Sequence, residues 1–228
     1  MPRAMKDSGI EWIGEIPEEW DITLLGTRCI ERKEKVSDKG FQALSVTKKG
    51  IVMQLANVAK TKNNDDRKRV CAGDFVINSR SDRKQSCGLS SLNGSVSVIN
   101  TVLQLRKINK LYVKHLLNNC GFAEEFFRWG SGIHFDLWST KFSKMKKICI
   151  PLLNEIDQHK IATYLDKKVS QIDSIIEKTK QSIEEYKAYK QSLITEVVTK
   201  GLDKNVKMND SGIEWIGEIP EHWETNKI

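Results

Sequence analysis

Apolar positions in residues 152–200 recur in alternating steps of four and three: Leu165, Val169, Ile172, Ile176, Thr179, Ile183, Tyr186, Lys190, Leu193 and Val197. Side chains at that spacing line one side of an α-helix, as the a and d positions of a heptad do. No glycine lies between Gly132 and Gly201 and no proline between Pro151 and Pro220, so the sequence predicts one long helical tract, with a break admissible near Asp166. At ~1.5 Å per residue, roughly 45 residues span on the order of 65 Å. A globular body of about 130 residues is only some 30 Å across. The stripe therefore calls for a second long helix rather than for its own domain, the alternative being a helix laid back on that domain. Thr179 at a d position and Lys190 at an a position interrupt the seam, which weakens a simple two-stranded coil and can set register or orientation.

Ahead of the helix the pattern changes. Phe41 to Thr47, Gly50 to Leu55, Asp74 to Asn78 and Val96 to Leu105 are short runs rich in β-branched residues, punctuated by Gly40, Gly50, Gly73, Gly88 and Gly94, and they predict strands. Val113, Leu116, Leu117, Cys120, Ala123, Phe126 and Phe127 then fall at helical spacing, ended by Gly130. The expected fold class is α+β: one mixed α/β domain followed by a long coiled-coil-forming helix. The ends of the chain repeat one another. Met5 to Trp20 returns as Met208 to Trp223 with fourteen of sixteen positions identical at an offset of 203, far longer than a solenoid period and indicative of duplicated domains. Ile10, Trp12, Ile13, Ile16 and Trp20 give this segment apolar anchors, so it reads as a strap that closes a domain rather than as a binding site. The expected divisions are a strap at 5–20, a globular domain at 21–151, the helix at 152–200 and a truncated second strap at 201–228.

Charge is uneven. Residues 21–150 carry 24 Lys and Arg against 11 Asp and Glu, whereas residues 1–20 and 151–228 are each net −3, within a total of +7. A concentrated positive block is the footprint expected of a phosphate-bearing partner, a solvated surface being the alternative. Cys29, Cys71, Cys87, Cys120 and Cys149 are sixteen or more residues apart, which offers no metal-ligand spacing. Their odd number, without a signal peptide, points to core residues in a reducing cytoplasm. No apolar run reaches the ~20 residues of a membrane span. No phosphate-binding glycine motif or H-E-x-x-H is present, Gly130-Ser-Gly132 lacks a third glycine, and His115, His134, His159 and His222 have no nucleophile beside them in sequence. No cofactor, metal or catalytic residue is expected.

Three polar, cationic loops remain. The first runs from Lys60 to Arg69 and offers Lys60, Lys62 and Arg67. The second offers Asn78, Ser79, Arg80, Ser81, Arg83, Lys84 and Gln85, and the third Ser131 and His134. Arg and Lys reach phosphates or guanine edges, Asn and Gln pair with adenine, and Ser and Gly permit close approach. Each loop could equally be a solvated turn. The second is the strongest candidate because it follows a strand on a rigid frame.

Gly9-Ile-Glu-Trp-Ile-Gly-Glu-Ile-Pro-Glu-Glu-Trp20, Gly73-Asp-Phe-Val-Ile-Asn-Ser-Arg80 and Ile148-Cys-Ile-Pro-Leu-Leu-Asn-Glu-Ile-Asp-Gln158, with His159 to Asp166 and Ile172-Asp173 after it, resemble segments of the specificity (S) subunits of type I restriction-modification systems. The resemblance covers nearly the whole chain. It implies a non-catalytic domain that reads double-stranded DNA and lends sequence specificity to separate methyltransferase (M) and restriction (R) subunits. Members of that family usually carry two recognition domains joined by two antiparallel helices, each domain reading half of a bipartite target through the major groove. This sequence has one domain, one long helix and the opening of a second conserved region, so it looks like a half subunit. A homodimer through Leu165, Val169, Ile172, Ile176, Ile183, Tyr186, Leu193 and Val197 is then expected, and two-fold symmetry implies an interrupted palindrome as target. The competing readings are a coiled-coil interaction protein whose basic domain binds DNA without sequence preference and, more remotely, a small nuclease.

Overall fold

A computed structural model describes residues 3–37, 39–54, 66–80, 83–133 and 138–225. The chain divides into two compact units, Met1–Asp166 and Lys167–Ile228. In order, the first contains β1 (Met5–Asp7), β2 (Glu15–Pro17), β3 (Asp21–Leu24), β4 (Cys29–Glu31), β5 (Lys35–Val36), β6 (Leu44–Thr47), β7 (Gly50–Met53), β8 (Arg67–Val70), β9 (Phe75–Asn78), β10 (Cys87–Leu89), β11 (Gly94–Ser97) and β12 (Asn100–Leu105). The helices α1 (Lys110–Leu116), α2 (Cys120–Arg128) and α3 (Phe142–Met145) follow, then β13 (Cys149–Leu152) and α4 (Glu155–Lys200), which continues into the second unit. That unit ends with β14 (Met208–Asp210) and β15 (Glu218–Pro220).

The frame of the first unit is an antiparallel sheet ordered β10-β9-β12-β4. Alternation along its strands sends side chains to both faces. From β9, Phe75 and Ile77 enter one core, with Cys29, Leu103, Val113, Leu116, Leu117, Phe122, Phe126, Met145 and Ile150. Val76 enters the other, with Val70, Val96, Val102 and Leu44. A strand covered on both faces is rigid, and the loop leaving its end inherits a fixed starting point. A second antiparallel sheet, β11-β8-β5, and the β6-β7 hairpin enclose the smaller core.

Several elements differ from the sequence expectation for local reasons. The run Val96 to Leu105 is two strands, turned where the Asn100 side chain donates to the Ser97 carbonyl at 3.1 Å. The helix expected across residues 113–127 is also two, because the Asn119 side chain accepts the Phe122 N–H at 2.8 Å and caps a fresh start. Arg67 to Arg69, expected in a loop, lie in β8. The long helix runs unbroken through Asp166 for 46 residues. Its first turns contribute Ala162 and Ile161 to the larger core, and the first unit extends to Asp166.

The β1-β2 hairpin packs against α2. Trp12 meets Phe122 of α2 edge-on with ring centroids 5.9 Å apart, and Glu11 receives a hydrogen bond from Arg128 at 2.6 Å. A side chain at Gly121 would press on the Trp12 carbonyl at 3.2 Å and its ring at 3.3 Å, so the missing Cβ lets the strap lie close.

Asp166 links α4 to α1, accepting from Lys114 and meeting His115 Nε2, each at 2.8 Å. The Lys114 ammonium, then His115, holds this carboxyl below its ordinary range. Because the folded value is the lower one, the stabilisation is complete above the usual Asp range and disappears as pH falls through the folded value. Wild type should therefore melt higher than Asp166→Asn near pH ~6, and the gap between the two melting curves should narrow as pH is lowered below the usual Asp range.

Candidate nucleic-acid interface

The second cationic loop leaves β9, the most buried strand of the frame, and its base is tied on both sides. Asn78 Oδ1 accepts the Arg80 N–H at 3.0 Å, forming a tight turn at the strand end. The Ser79 hydroxyl meets that of Thr101 at 3.0 Å, and the Ser79 carbonyl accepts the Thr140 N–H at 2.9 Å. Arg80 and Ser139 form an antiparallel bridge, and Ser139 pairs in turn with Ser131 through two backbone hydrogen bonds of 3.1 Å. The second and third loops, whose Arg80 and Ser131 are fifty-one positions apart in sequence, are thus brought side by side.

Aromatic packing supports this junction. Trp138 lies against Phe127 with centroids 5.8 Å apart and donates its indole N–H to the Phe127 carbonyl at 2.9 Å. Gly130 makes room for it, since a Cβ there would stand 2.2 Å from the indole nitrogen. Lys84 donates to both carboxylate oxygens of Glu124 at 2.9 Å and sits 4.4 Å above the Phe127 ring. That lysine, expected to reach a partner, is employed in holding the loop to α2. Gln85 takes a left-handed backbone, φ 61°, and its amide donates to Cys120 Sγ at 3.3 Å.

Arg80 and Arg83 are exposed, as is Ser131. Arg67 is not: its guanidinium is buried and donates to the Ser95 hydroxyl at 2.8 Å and the Ser95 carbonyl at 2.9 Å. The expectation that Arg67 contacts a partner is corrected, because a cation so enclosed fastens β8 to β11. Lys60, Lys62, Ser81 and His134 lie outside the described residues.

Beside Arg80 opens a cleft of about 690 Å³, lined by Glu31, Lys33, Lys68, Ser79, Arg80, Val98, Ile99, Thr101, Ser139, Lys141, Phe142, Ser143 and Lys146. Its charge is lopsided. Glu31 is engaged by Lys68 at 3.1 Å, while Lys33, Arg80, Lys141 and Lys146 are exposed and in no ion pair among the described residues. Four unneutralised cations with three serine hydroxyls form a surface that attracts a polyanion and donates hydrogen bonds to its oxygens. Lys33, Lys141, Lys146, Ser139 and Ser143 were not among the residues singled out from sequence. The signal was present in the run Lys141-Phe-Ser-Lys144-Met-Lys146-Lys147, which α3 places at the rim of the cleft.

Other chemistry is sparse. Burial pushes the thiols of Cys29 and Cys87 up to about 12, which makes them inert core residues. Among the described residues no group of three His, Cys, Asp or Glu is placed to hold a metal ion, and no helix is long and apolar enough to cross a membrane.

No family model matches the sequence. A candidate specificity subunit of the type I restriction enzyme MjaX, from Methanocaldococcus jannaschii, is 25% identical over 234 residues, covering 95% of this chain and 53% of that protein. Among solved structures, a chain from a study of assembly and conformational transition in a type I restriction-modification system superposes with a TM-score of 0.61 at 16% identity, covering 82% of this chain and 47% of the other. The chain has the fold of a type I specificity subunit. The HsdS subunit from Thermoanaerobacter tengcongensis matches it likewise, with a TM-score of 0.55 at 15% identity over 87% of this chain and 48% of that one. The chain spans about half the length of each of these three proteins. Sequence and fold therefore agree with the resemblance drawn from the strap, the Gly73–Arg80 segment and the entry into α4.

Proposed function

We propose that this protein is a cytoplasmic, non-catalytic DNA-reading subunit of a type I restriction-modification complex, working as a two-fold homodimer that recognises a bipartite palindrome and recruits M and R subunits. The observation that carries the DNA reading is the cleft beside Arg80: four cations, in no ion pair among the described residues, gathered next to a loop held at a fixed angle. Lys33, Lys141 and Lys146 grip phosphates, and Arg80, Arg83, Asn78 and Ser131 face the groove. Phosphate contacts supply affinity and register, whereas base contacts supply preference.

The dimer rests on α4. Val169, Ile172, Ile176, Ile183, Tyr186 and Leu193 are all exposed, an apolar stripe several turns long with nothing covering it among the described residues. Charge favours a second copy in antiparallel orientation. Residues 155–177 carry five Asp and Glu against three Lys, and residues 178–200 carry five Lys against three Glu. Antiparallel pairing sets each acidic half beside a basic one, whereas parallel pairing stacks like on like. An antiparallel pair about a two-fold axis carries its two domains at opposite ends, separated by the helix length of roughly 70 Å at most. Two identical readers so placed fit a target of two inverted halves and a spacer.

Substitution tests the reading face. If Arg80 or Arg83 touches a base edge, its change to Ala weakens binding by roughly 1–3 kcal/mol and relaxes preference at one position. If it touches a phosphate, affinity falls alike on all sequences and the salt slope shrinks. Unchanged binding in both variants removes this loop from the interface. A coiled-coil protein with a nonspecific basic domain predicts equal binding to every duplex, which footprinting on random-sequence DNA distinguishes.

A further inference from the structure

The second strap folds like the first yet is not used like it. Its hairpin keeps the same register, Met208 opposite Pro220 and Asp210 opposite Glu218, as Met5 is opposite Pro17 and Asp7 opposite Glu15. The turn is repeated as well: Ser211 donates to the Gly217 carbonyl at 2.9 Å where Ser8 donates to that of Gly14 at 3.0 Å. The docking groups differ in fate. Trp12 is half-buried against Phe122 and Glu11 is paired with Arg128. Their counterparts are Trp215, which is 76% exposed, and Glu214, which is exposed and in no ion pair among the described residues. Trp223 and Ile219 anchor the hairpin beside Gly201 at the end of α4. In front of them Ile213, Trp215 and Ile216 line an apolar hollow of about 280 Å³.

We propose that the second strap is a docking element for the α2 helix of a second copy of this chain, with Trp215 taking the place of Trp12 against Phe122 and Glu214 that of Glu11 on Arg128. The occupant is specified by internal precedent, because this same sequence already binds that helix once in the chain. The surface needed is an aromatic ring, a glycine before it that admits the strap backbone, and an arginine six positions on: Gly121, Phe122 and Arg128. The inference rests on the antiparallel dimer proposed above. In that pair the end of α4 in one protomer lies beside the root of α4 in its partner, where the partner's recognition domain begins. Eight residues after the helix, the strap arrives next to the face it matches. There it competes for that face with the partner's own strap, to which it is identical at fourteen of sixteen positions.

Cross-linking tests this. In full-length chain carrying Cys120→Ser, the pair Glu214→Cys and Arg128→Cys is treated with a short bismaleimide, alongside a control with Glu11→Cys and Arg128→Cys, and sedimentation is run on both. The expected result is a covalent dimer from the first pair, with a yield that rises several-fold when Trp12→Ala weakens the competing strap, while the control closes within one chain. A dimer in sedimentation that gives no cross-link, or only an intrachain one, overturns the docking and leaves the helix pairing standing. A monomer in sedimentation overturns both.

Discussion

Replacing Ile172 and Ile176 together by Asp should convert a dimer into a folded monomer. Both side chains are exposed in the single chain, 54% and 44% respectively, so the change removes nothing from either core and creates no cavity. What it removes is the partner: four carboxylates would be driven into one apolar seam, where unpaired charges are costly. The effect on DNA should be large without touching the reading face. A dimer binds the second half of its target as a linked event, which raises avidity by roughly 10²–10⁴-fold over one domain. The variant should lose about that factor on a two-part duplex and almost nothing on a duplex carrying a single half. Sedimentation with fluorescence-anisotropy titration of both duplexes measures it. Equal loss on both would show that the helix acts within its own chain.

Reversing charge at the cleft should have the opposite signature. Lys141→Glu with Lys146→Glu leaves the dimer intact, because both residues are exposed at the two ends of α3 and neither belongs to the apolar stripe of α4. Each phosphate contact releases counterions, so losing two should reduce the slope of log affinity against log salt by roughly 1.8. At about 0.1 M salt, affinity for every duplex should fall by orders of magnitude, matched and mismatched alike. A variant that keeps its affinity but changes its preferred bases would move these lysines from the backbone to the groove.

Much of this architecture was legible in the sequence, for identifiable reasons. The α4 stripe was visible because a helix without glycine or proline keeps its period in the chain itself. The strap was visible because it occurs twice. The burial of Phe75 and Val76 on opposite faces of one strand agrees with a continuous apolar run, the signature of a strand covered on both sides. What was hidden depends on side chains that act at a distance. Asn119 restarts a helix that apolar spacing alone would continue. Arg67 looks like any surface cation until Ser95 is found beside it. Lys84 is spoken for by Glu124, forty positions away. The cleft gathers Lys33, Arg80, Lys141 and Lys146 from segments up to 113 positions apart, and no sequence window contains them together. Their shared signal was compositional, the basic block of residues 21–150, which suits a polyanionic partner but does not locate the surface that would meet it.

The two variants separate the parts of the account: one tests how many readers act together, the other which face does the gripping. The claim that unites them is that paired copies of this chain read DNA in two halves. Selection of bound duplexes from a random-sequence pool, using the purified wild-type protein with and without an M subunit, measures that directly. The account predicts enrichment of two short inverted-repeat blocks separated by a spacer of constant length. Enrichment of a single unsplit block, or no enrichment from a protein that still binds DNA, would contradict it.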